Sequence, residues 1–203
     1  MKIAVLGAGH IGGTLAKKWA KADHTIRFGL RDPRKPQVQE LVKSLGSAAS
    51  ASSVAEAIDF GDVVVFAIPG PAMEETIAAN AKAIDGKTVI DTANKMGAAS
   101  RNSISTFAKQ APKARAYRAF NTYGWENFET TNFQNGPADL FFCGPDGDSR
   151  GQVEQLISAV GLNPMYLGGP EQADLVDSVL ALWFTLANSQ KMGRGIAFKV
   201  IKR

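Results

Sequence analysis

One cysteine, two histidines and three tyrosines are all that this chain of 203 residues offers of three side-chain types often used in covalent or acid–base chemistry. The single cysteine excludes an internal disulfide and a thiolate metal cluster. It suits a reducing cytoplasm. No metal-ligand spacing and no G-x-S-x-G are present, so neither a metal site nor a serine nucleophile is expected. Long apolar runs are also missing. The best candidate, near Leu180–Leu186, is short and flanked by Asp174 and Asp177, so no membrane span is expected. Met1 and Lys2 lead into only a handful of apolar residues, which read as a strand rather than a signal peptide. The net charge is a modest +4. Basic residues are scattered, with one denser group at Arg27, Arg31, Arg34 and Lys35. Without interleaved aromatics, that group reads as an anion site or a solvated face, and no nucleic-acid partner is expected.

What is present is alternation. Strand-length apolar runs fall at Lys2–Leu6, Thr25–Gly29, Asp62–Ile68, Thr88–Thr92, Ala116–Asn121, Leu140–Gly144 and Pro164–Leu167. Helical segments fall at Ile11–Ala22, Pro36–Leu45, Val54–Phe60, Met73–Ala83, Ser103–Lys109, Arg150–Val160 and Ala173–Lys191. Val63-Val64-Val65-Phe66-Ala67 is continuously apolar and rich in β-branched residues, as in a strand buried on both faces. The pattern predicts right-handed βαβ crossovers. The fold class is α/β: a doubly wound, mostly parallel Rossmann-like sheet with a C-terminal helical segment. Gly46–Ser53 is small and polar, either an edge strand or a loop. Thr122–Pro137 is the least regular stretch and the richest in aromatics.

The expected organisation is a nucleotide domain over 1–168 and a C-terminal helical segment over 169–203 that does not fold alone. Ala173–Lys191 is apolar around much of its circumference, which predicts burial by its own domain or by a second copy. A homodimer interface is the preferred reading.

The strand Lys2–Leu6 runs into Gly7-Ala8-Gly9-His10-Ile11-Gly12, and an Ala- and Lys-rich helix follows. In such a turn the first glycine permits the tight bend. The second lets backbone approach a pyrophosphate, and the third lets helix and strand pack closely. The helix N-terminus presents free N–H groups to the anion. Gly7, Gly9, His10, Ile11 and Gly12 are therefore cofactor-binding candidates; a bare tight turn is the bland alternative. Folds that prefer NAD carry an acid at the end of the second strand, roughly 20 residues past the glycines. Here Gly29 and Leu30 stand there, followed by Arg31, with Lys35 in reach. A guanidinium grips a 2′-phosphate with two hydrogen bonds, so NADP(H) is expected over NAD(H). Asp32 dissents, and reads better as a turn residue before Pro33.

The remaining candidates lie at other strand ends. Ile68 and Pro69 face the nicotinamide end. Asn94 offers an amide to the cofactor, and Asn121 with Thr122 to the substrate; loop capping is the alternative for both asparagines. Cys143 reads as a buried, inert thiol. His24 reads as solvated. No catalytic acid or base stands out. A carbonyl reductase needs a proton donor, whereas a flavin-type acceptor ring delocalises the charge that arrives with a hydride. The absence favours ring-to-ring hydride transfer, to which the protein contributes position and water exclusion.

These residues carry a resemblance. Ile3–Ala16, Gly29-Leu30-Arg31 with Lys35, Ala67-Ile68-Pro69, Val89-Ile90-Asp91, Ala119-Phe120-Asn121-Thr122, Cys143-Gly144, Ala173–Trp183 and Gly195-Ile196-Ala197-Phe198 resemble the NADPH-dependent reductases of the deazaflavin coenzyme F420. The nucleotide domain is also similar to those of six-transmembrane metalloreductases and pyrroline-5-carboxylate reductase. The resemblance implies a Rossmann-like homodimer with NADP(H) and the deazaflavin face to face in one cleft. It maps Gly7, Gly9, His10, Ile11 and Gly12 to the pyrophosphate, Arg31 and Lys35 to the 2′-phosphate, and Ile68 and Pro69 to the nicotinamide. Asn121 falls where archaeal members carry a histidine, and Leu30 replaces a serine. Three readings stand: an NADP(H)-dependent oxidoreductase acting on a deazaflavin or flavin; an NADPH-dependent reductase of a small imine or carbonyl, with Tyr123 the nearest proton donor; and a non-catalytic NADP(H)-binding module that uses Tyr123, Trp125 and Phe128 as a contact surface.

Overall fold

The computed structural model describes all residues, 1–203. Six strands form one parallel sheet: β1 (Lys2–Leu6), β2 (Thr25–Gly29), β3 (Ala49–Ser52), β4 (Val63–Phe66), β5 (Thr88–Asp91) and β6 (Arg115–Arg118), in the order β3-β2-β1-β4-β5-β6. The order reverses between β1 and β4, and in sheets of this kind ligands bind at that switch, beyond the carboxyl ends of the strands. Between the strands run α1 (His10–Lys21), α2 (Pro36–Leu45), α3 (Val54–Phe60), α4 (Met73–Ile84) and α5 (Ile104–Gln110). The central strands are the continuously apolar ones: Val63, Val64, Val65 and Phe66 are all fully buried. One core packs Trp19 of α1 and Phe28 of β2 on one face of the sheet. A second packs Phe66, Ile77 and Phe107 on the other. The expected fold class is met.

Within Gly46–Ser53, a 3-10 turn over Gly46–Ala48 leads into the edge strand β3, and Ser53 caps α3. Beyond β6 follow a one-turn helix α6 (Glu126–Glu129), a parallel pair β7 (Asp139–Phe142) and β8 (Asn163–Tyr166), and α7 (Asp148–Val160). A single antiparallel bridge between Arg118 and Cys143 joins this pair to the main sheet.

Two elements differ from expectation. The strand predicted over Ala116–Asn121 ends its pairing at Arg118. Phe120 has φ of 60°, a left-handed conformation that a bulky residue adopts only under constraint. Its ring is held edge-on by Trp19 and Phe128, at 5.7 and 5.9 Å. The helix predicted over Ala173–Lys191 is regular only as α8 (Ala173–Phe184) and widens into a π-turn over Thr185–Ser189.

Helix α8 is also less uniformly buried than its composition suggests. Val176, Asp177, Leu180 and Trp183 face the chain's own core, while Leu175 and Leu182 are each 51% exposed. After the π-turn the chain returns over β7: the Asp139 amide donates to the Phe198 carbonyl at 2.9 Å, and Trp183 Nε1 donates to the Ile196 carbonyl at 2.8 Å. No helix is long and apolar enough to cross a membrane.

Candidate nucleotide cleft

The glycine turn has the geometry its three glycines imply. Gly7 sits at φ 101°, and a Cβ there would meet the Ala67 carbonyl oxygen. At Gly12 a Cβ would meet the carbonyl oxygen of Gly7, so the start of α1 lies directly on the turn. Gly9 is different: a Cβ there would meet nothing within 4 Å. The backbone at Gly9 is therefore bare toward the outside of the turn, where an anion would come. Gly9 caps α1 without a side-chain hydrogen bond, and the first turn holds no acid. The amides of His10, Ile11 and Gly12 find no carbonyl in the chain. An uncapped, acid-free helix start of this kind suits a phosphate.

Beside the turn opens a cavity of about 300 Å³, lined by Gly7, Gly29, Leu30, Arg31, Lys35, Val38, Val54, Ile68, Pro69, Ala72 and others. Of the proposed cofactor residues, Gly7, Arg31, Lys35, Ile68 and Pro69 meet there. Gly9, His10, Ile11 and Gly12 follow along the helix start. Neither Arg31 nor Lys35 has an acidic partner; every salt bridge of the chain is made by other cations. Asp32 accepts the Arg34 amide at 3.1 Å, so its carboxylate closes a turn. Arg27, from the same basic group, points elsewhere: its guanidinium lies over the Phe60 ring at 4.2 Å. The His10 ring stacks on Trp125, centroids 5.0 Å apart and planes at 22°.

Asn94, Asn121 and Thr122 gather at a separate place, around Arg118. This arginine is fully buried. Its Nη1 lies 3.2 Å from Asp91 Oδ1 and its Nη2 lies 2.7 Å from Asp177 Oδ1. Burial pushes the Asp91 carboxyl up from the ordinary carboxylate range, against the pull of Arg118 and two backbone amides. Arg118 Nη2 also donates to Asn94 Oδ1 at 2.6 Å. Asn94 Nδ2 donates to the Asn121 carbonyl at 3.0 Å, and Asn121 Nδ2 to Asp177 Oδ1 at 3.0 Å. Both polar atoms of the Asn94 side chain are thus engaged within the chain, as in the loop-capping alternative. Asn121 and Thr122 are 2% and 0% exposed.

Sequence reasoning did not pick out Arg118 or Asp177. The available signal was an arginine inside a strand and an aspartate inside a largely apolar helix, each unlikely to be buried unpaired.

Two expectations are corrected. His24 is buried rather than solvated, with Nδ1 3.2 Å from the amino terminus. Burial, and next the charged N-terminus, lower its pKa. Tyr123 is not placed as a proton donor. Its hydroxyl donates to the Asp139 carbonyl at 2.6 Å and accepts the Phe198 amide at 3.1 Å, and burial pushes its pKa up. Tyr123 and Phe128 are buried, which also removes them as a contact surface. Cys143 is buried as expected, and burial pushes its thiol up to about 12.

Residues 2–95 match the sequence profile of the family described as NADP oxidoreductase, coenzyme F420-dependent. That stretch covers β1 to β5 and the whole glycine turn. A solved structure from Arthrobacter sp. FB24, described as a candidate F420-dependent NADP reductase, superposes with a TM-score of 0.87 over all of both chains, at 23% identity. A reductive aminase from Aspergillus terreus, solved with NADPH and ethyl levulinate, superposes with a TM-score of 0.68 at 20% identity, over 91% of this chain and 61% of that one. Glycerol-3-phosphate dehydrogenase [NAD(P)+] of Pseudomonas fluorescens (strain Pf0-1) is 27% identical over 124 residues, 56% of this chain. The chain spans about a third (35%) of that curated relative's length. The match to the F420-dependent NADP oxidoreductase family is thus confined to residues 2–95, a little under half of the chain, and the solved structures share the fold.

Proposed function

We propose that this chain is an NADP(H)-dependent oxidoreductase that exchanges hydride with a deazaflavin or flavin-type ring. One observation carries the cofactor half: Arg31 and Lys35, two cations that make no salt bridge, line the cavity beside the bare glycine turn, together with Asp32, whose carboxylate accepts the Arg34 amide. In this reading the amides of His10, Ile11 and Gly12 hold the pyrophosphate. Arg31 and Lys35 hold the 2′-phosphate, and Ile68 and Pro69 floor the nicotinamide end. When bound, the nicotinamide supplies or takes a hydride, and an acceptor ring that delocalises the arriving pair needs only a proton from water. One feature supports that division: Tyr123, the nearest donor by sequence in the competing reading, is engaged elsewhere.

The same reading keeps the chain as one nucleotide domain with a C-terminal closing segment beyond residue 168. It makes the exposed Leu175 and Leu182 of α8 part of a homodimer contact. The second reading, a small-imine or carbonyl reductase, has the aminase-like fold in its favour but lacks the donor.

An acceptor panel separates the two. NADPH is mixed with the protein and, in turn, the deazaflavin coenzyme, FMN, FAD, riboflavin and a cyclic imine, while nicotinamide absorbance is followed. Turnover is expected with the deazaflavin or a flavin. Turnover with the imine alone would overturn the proposal, and NADPH binding with no turnover on any acceptor would leave a non-catalytic binding module.

A further inference from the structure

The start of α1 carries an aromatic cover, and the C-terminal chain holds it there. The His10 ring lies on the Trp125 indole, centroids 5.0 Å apart and planes at 22°. Trp125 is only partly buried and His10 is exposed, so core packing does not account for the stack. Trp125 opens the one-turn helix α6, and Arg194 grips that turn. Arg194 Nε donates to Glu126 Oε1 at 2.7 Å, and its Nη2 donates to Glu126 Oε2 at 3.2 Å. The guanidinium also lies 5.2 Å from the centre of the Trp183 ring, and Asn127 Nδ2 donates to the Arg194 carbonyl at 2.7 Å. At Gly124 a Cβ would press on the Glu126 carboxylate and stand 2.6 Å from Arg194 Nη2, so glycine there lets the pair close. A lone exposed ion pair adds little, but a two-pronged pair within such a network fixes geometry. Charge gives a second pointer. Hydrogen bonds from Arg194 hold the Glu126 carboxyl below the ordinary carboxylate range, with a smaller pull from His10. A free carboxylate so near an anion site would repel the ligand; here both of its oxygens face Arg194.

We propose that Trp125 walls the diphosphate site by fixing the His10 ring at the helix start, and that Arg194 is the positioning residue that holds this wall and neutralises Glu126. The inference rests on the dinucleotide-cleft reading given above. An exposed ring at the first position of a helix turns freely. Stacked on an indole, it is ordered before the ligand arrives, and that part of the binding cost falls away. The indole also keeps water from one side of the contact, which strengthens any charge-assisted bond made there. The C-terminal chain thereby acts on the cofactor site without touching the cofactor.

The test reads the stack and the binding separately on the intact protein. The chain has two histidines, so its imidazole Cε1–H region holds two NMR signals, and His10→Asn assigns them. The His10 signal is expected upfield, in the ring current of the indole, and NADP+ should move it while the His24 signal stays. Dissociation constants are then measured for NADPH and for adenosine 2′-monophosphate, which keeps the 2′-phosphate and lacks the diphosphate. Thermal unfolding is recorded for each variant. Trp125→Leu should return the His10 signal to its ordinary position and weaken NADPH about tenfold, the scale of one side chain ordered in advance. Its affinity for adenosine 2′-monophosphate should not change. Arg194→Met should move the His10 signal and weaken NADPH in the same way. Arg194→Lys should recover part of that loss, as should Glu126→Gln added to Arg194→Met. If Trp125→Leu does not fold, Arg194→Met and the wild-type spectrum decide. An Arg194→Met protein that melts earlier with signal and affinity unmoved would assign the clamp to stability alone and overturn its part. An ordinary His10 signal in the wild type, or equal losses for the two ligands in Trp125→Leu, would overturn the wall and leave the cleft reading standing. Failure of the wild type to bind NADPH would remove both.

Discussion

Replacing Gly9 by valine should weaken NADPH binding severely without unfolding the protein. Gly9 lies at φ −77° and ψ −167°, an extended conformation open to any residue. A Cβ there meets no atom of the chain within 4 Å. The melting temperature should therefore stay close to wild type, as it does for most exposed substitutions. The two methyl groups would stand where the second glycine of such a turn lets backbone approach a pyrophosphate. A loss on the order of 100-fold in NADPH affinity is expected, equivalent to roughly 2.7 kcal/mol. Gly7→Ala and Gly12→Ala make the contrast. Their new methyls would press on the carbonyl oxygens of Ala67 and Gly7, so stability and binding should fall together. Titration of NADPH fluorescence beside a thermal melt separates the two classes. Binding by Gly9→Val at wild-type affinity would contradict the assignment of the turn.

The largest stability effect is expected at Arg118. It is buried, and it lies against two buried carboxylates, Asp91 and Asp177. Methionine in its place fills similar space and removes the only positive charge among them. Leaving a buried charge unpaired costs about 3–5 kcal/mol. For a chain of this size that is on the order of 10 °C in melting temperature. The sign with pH follows from the carboxylates. Burial already holds the Asp91 carboxyl above its ordinary value, and loss of the guanidinium raises it further. The folded variant then binds more protons than the unfolded chain between the ordinary carboxylate pKa and the raised one, so its stability falls as pH rises through that window. The deficit against wild type should be smaller at mildly acidic pH than at neutral pH. Melts of both proteins across that range are the check; a deficit independent of pH would mean that packing, not charge, is what Arg118 supplies.

These two sites show what a linear reading reaches and what it misses. Gly7, Gly9 and Gly12 are legible because the strand, turn and helix they serve are contiguous, and each glycine has one local reason to be there. Arg31 and Lys35 are legible because the end of β2 lies a fixed distance beyond the turn. The sheet is legible because Val63–Phe66 and Val89-Ile90 are continuously apolar and rich in β-branched residues, and all six are buried. Arg118 and Asp177 are 59 residues apart, and their pairing depends on α8 packing back across the sheet end. Nothing periodic marks either one. His24, just before β2, reads as solvated, but the amino terminus at the start of β1 lies against it. Tyr123 follows a strand end, as a donor would, yet the returning C-terminal chain takes its hydroxyl. In each case a contact from a distant element decided the outcome.

The central claim is that this cleft is built for a dinucleotide bearing a 2′-phosphate. The most direct measurement is the pair of dissociation constants for NADPH and NADH, taken on the wild type and on Arg31→Ala. The wild type should favour NADPH. The loss of a charge-assisted contact worth about 1.5–3 kcal/mol should cut that preference by roughly tenfold or more, with NADH affinity little changed. Equal or tighter binding of NADH by the wild type, or a preference untouched by Arg31→Ala, would contradict it.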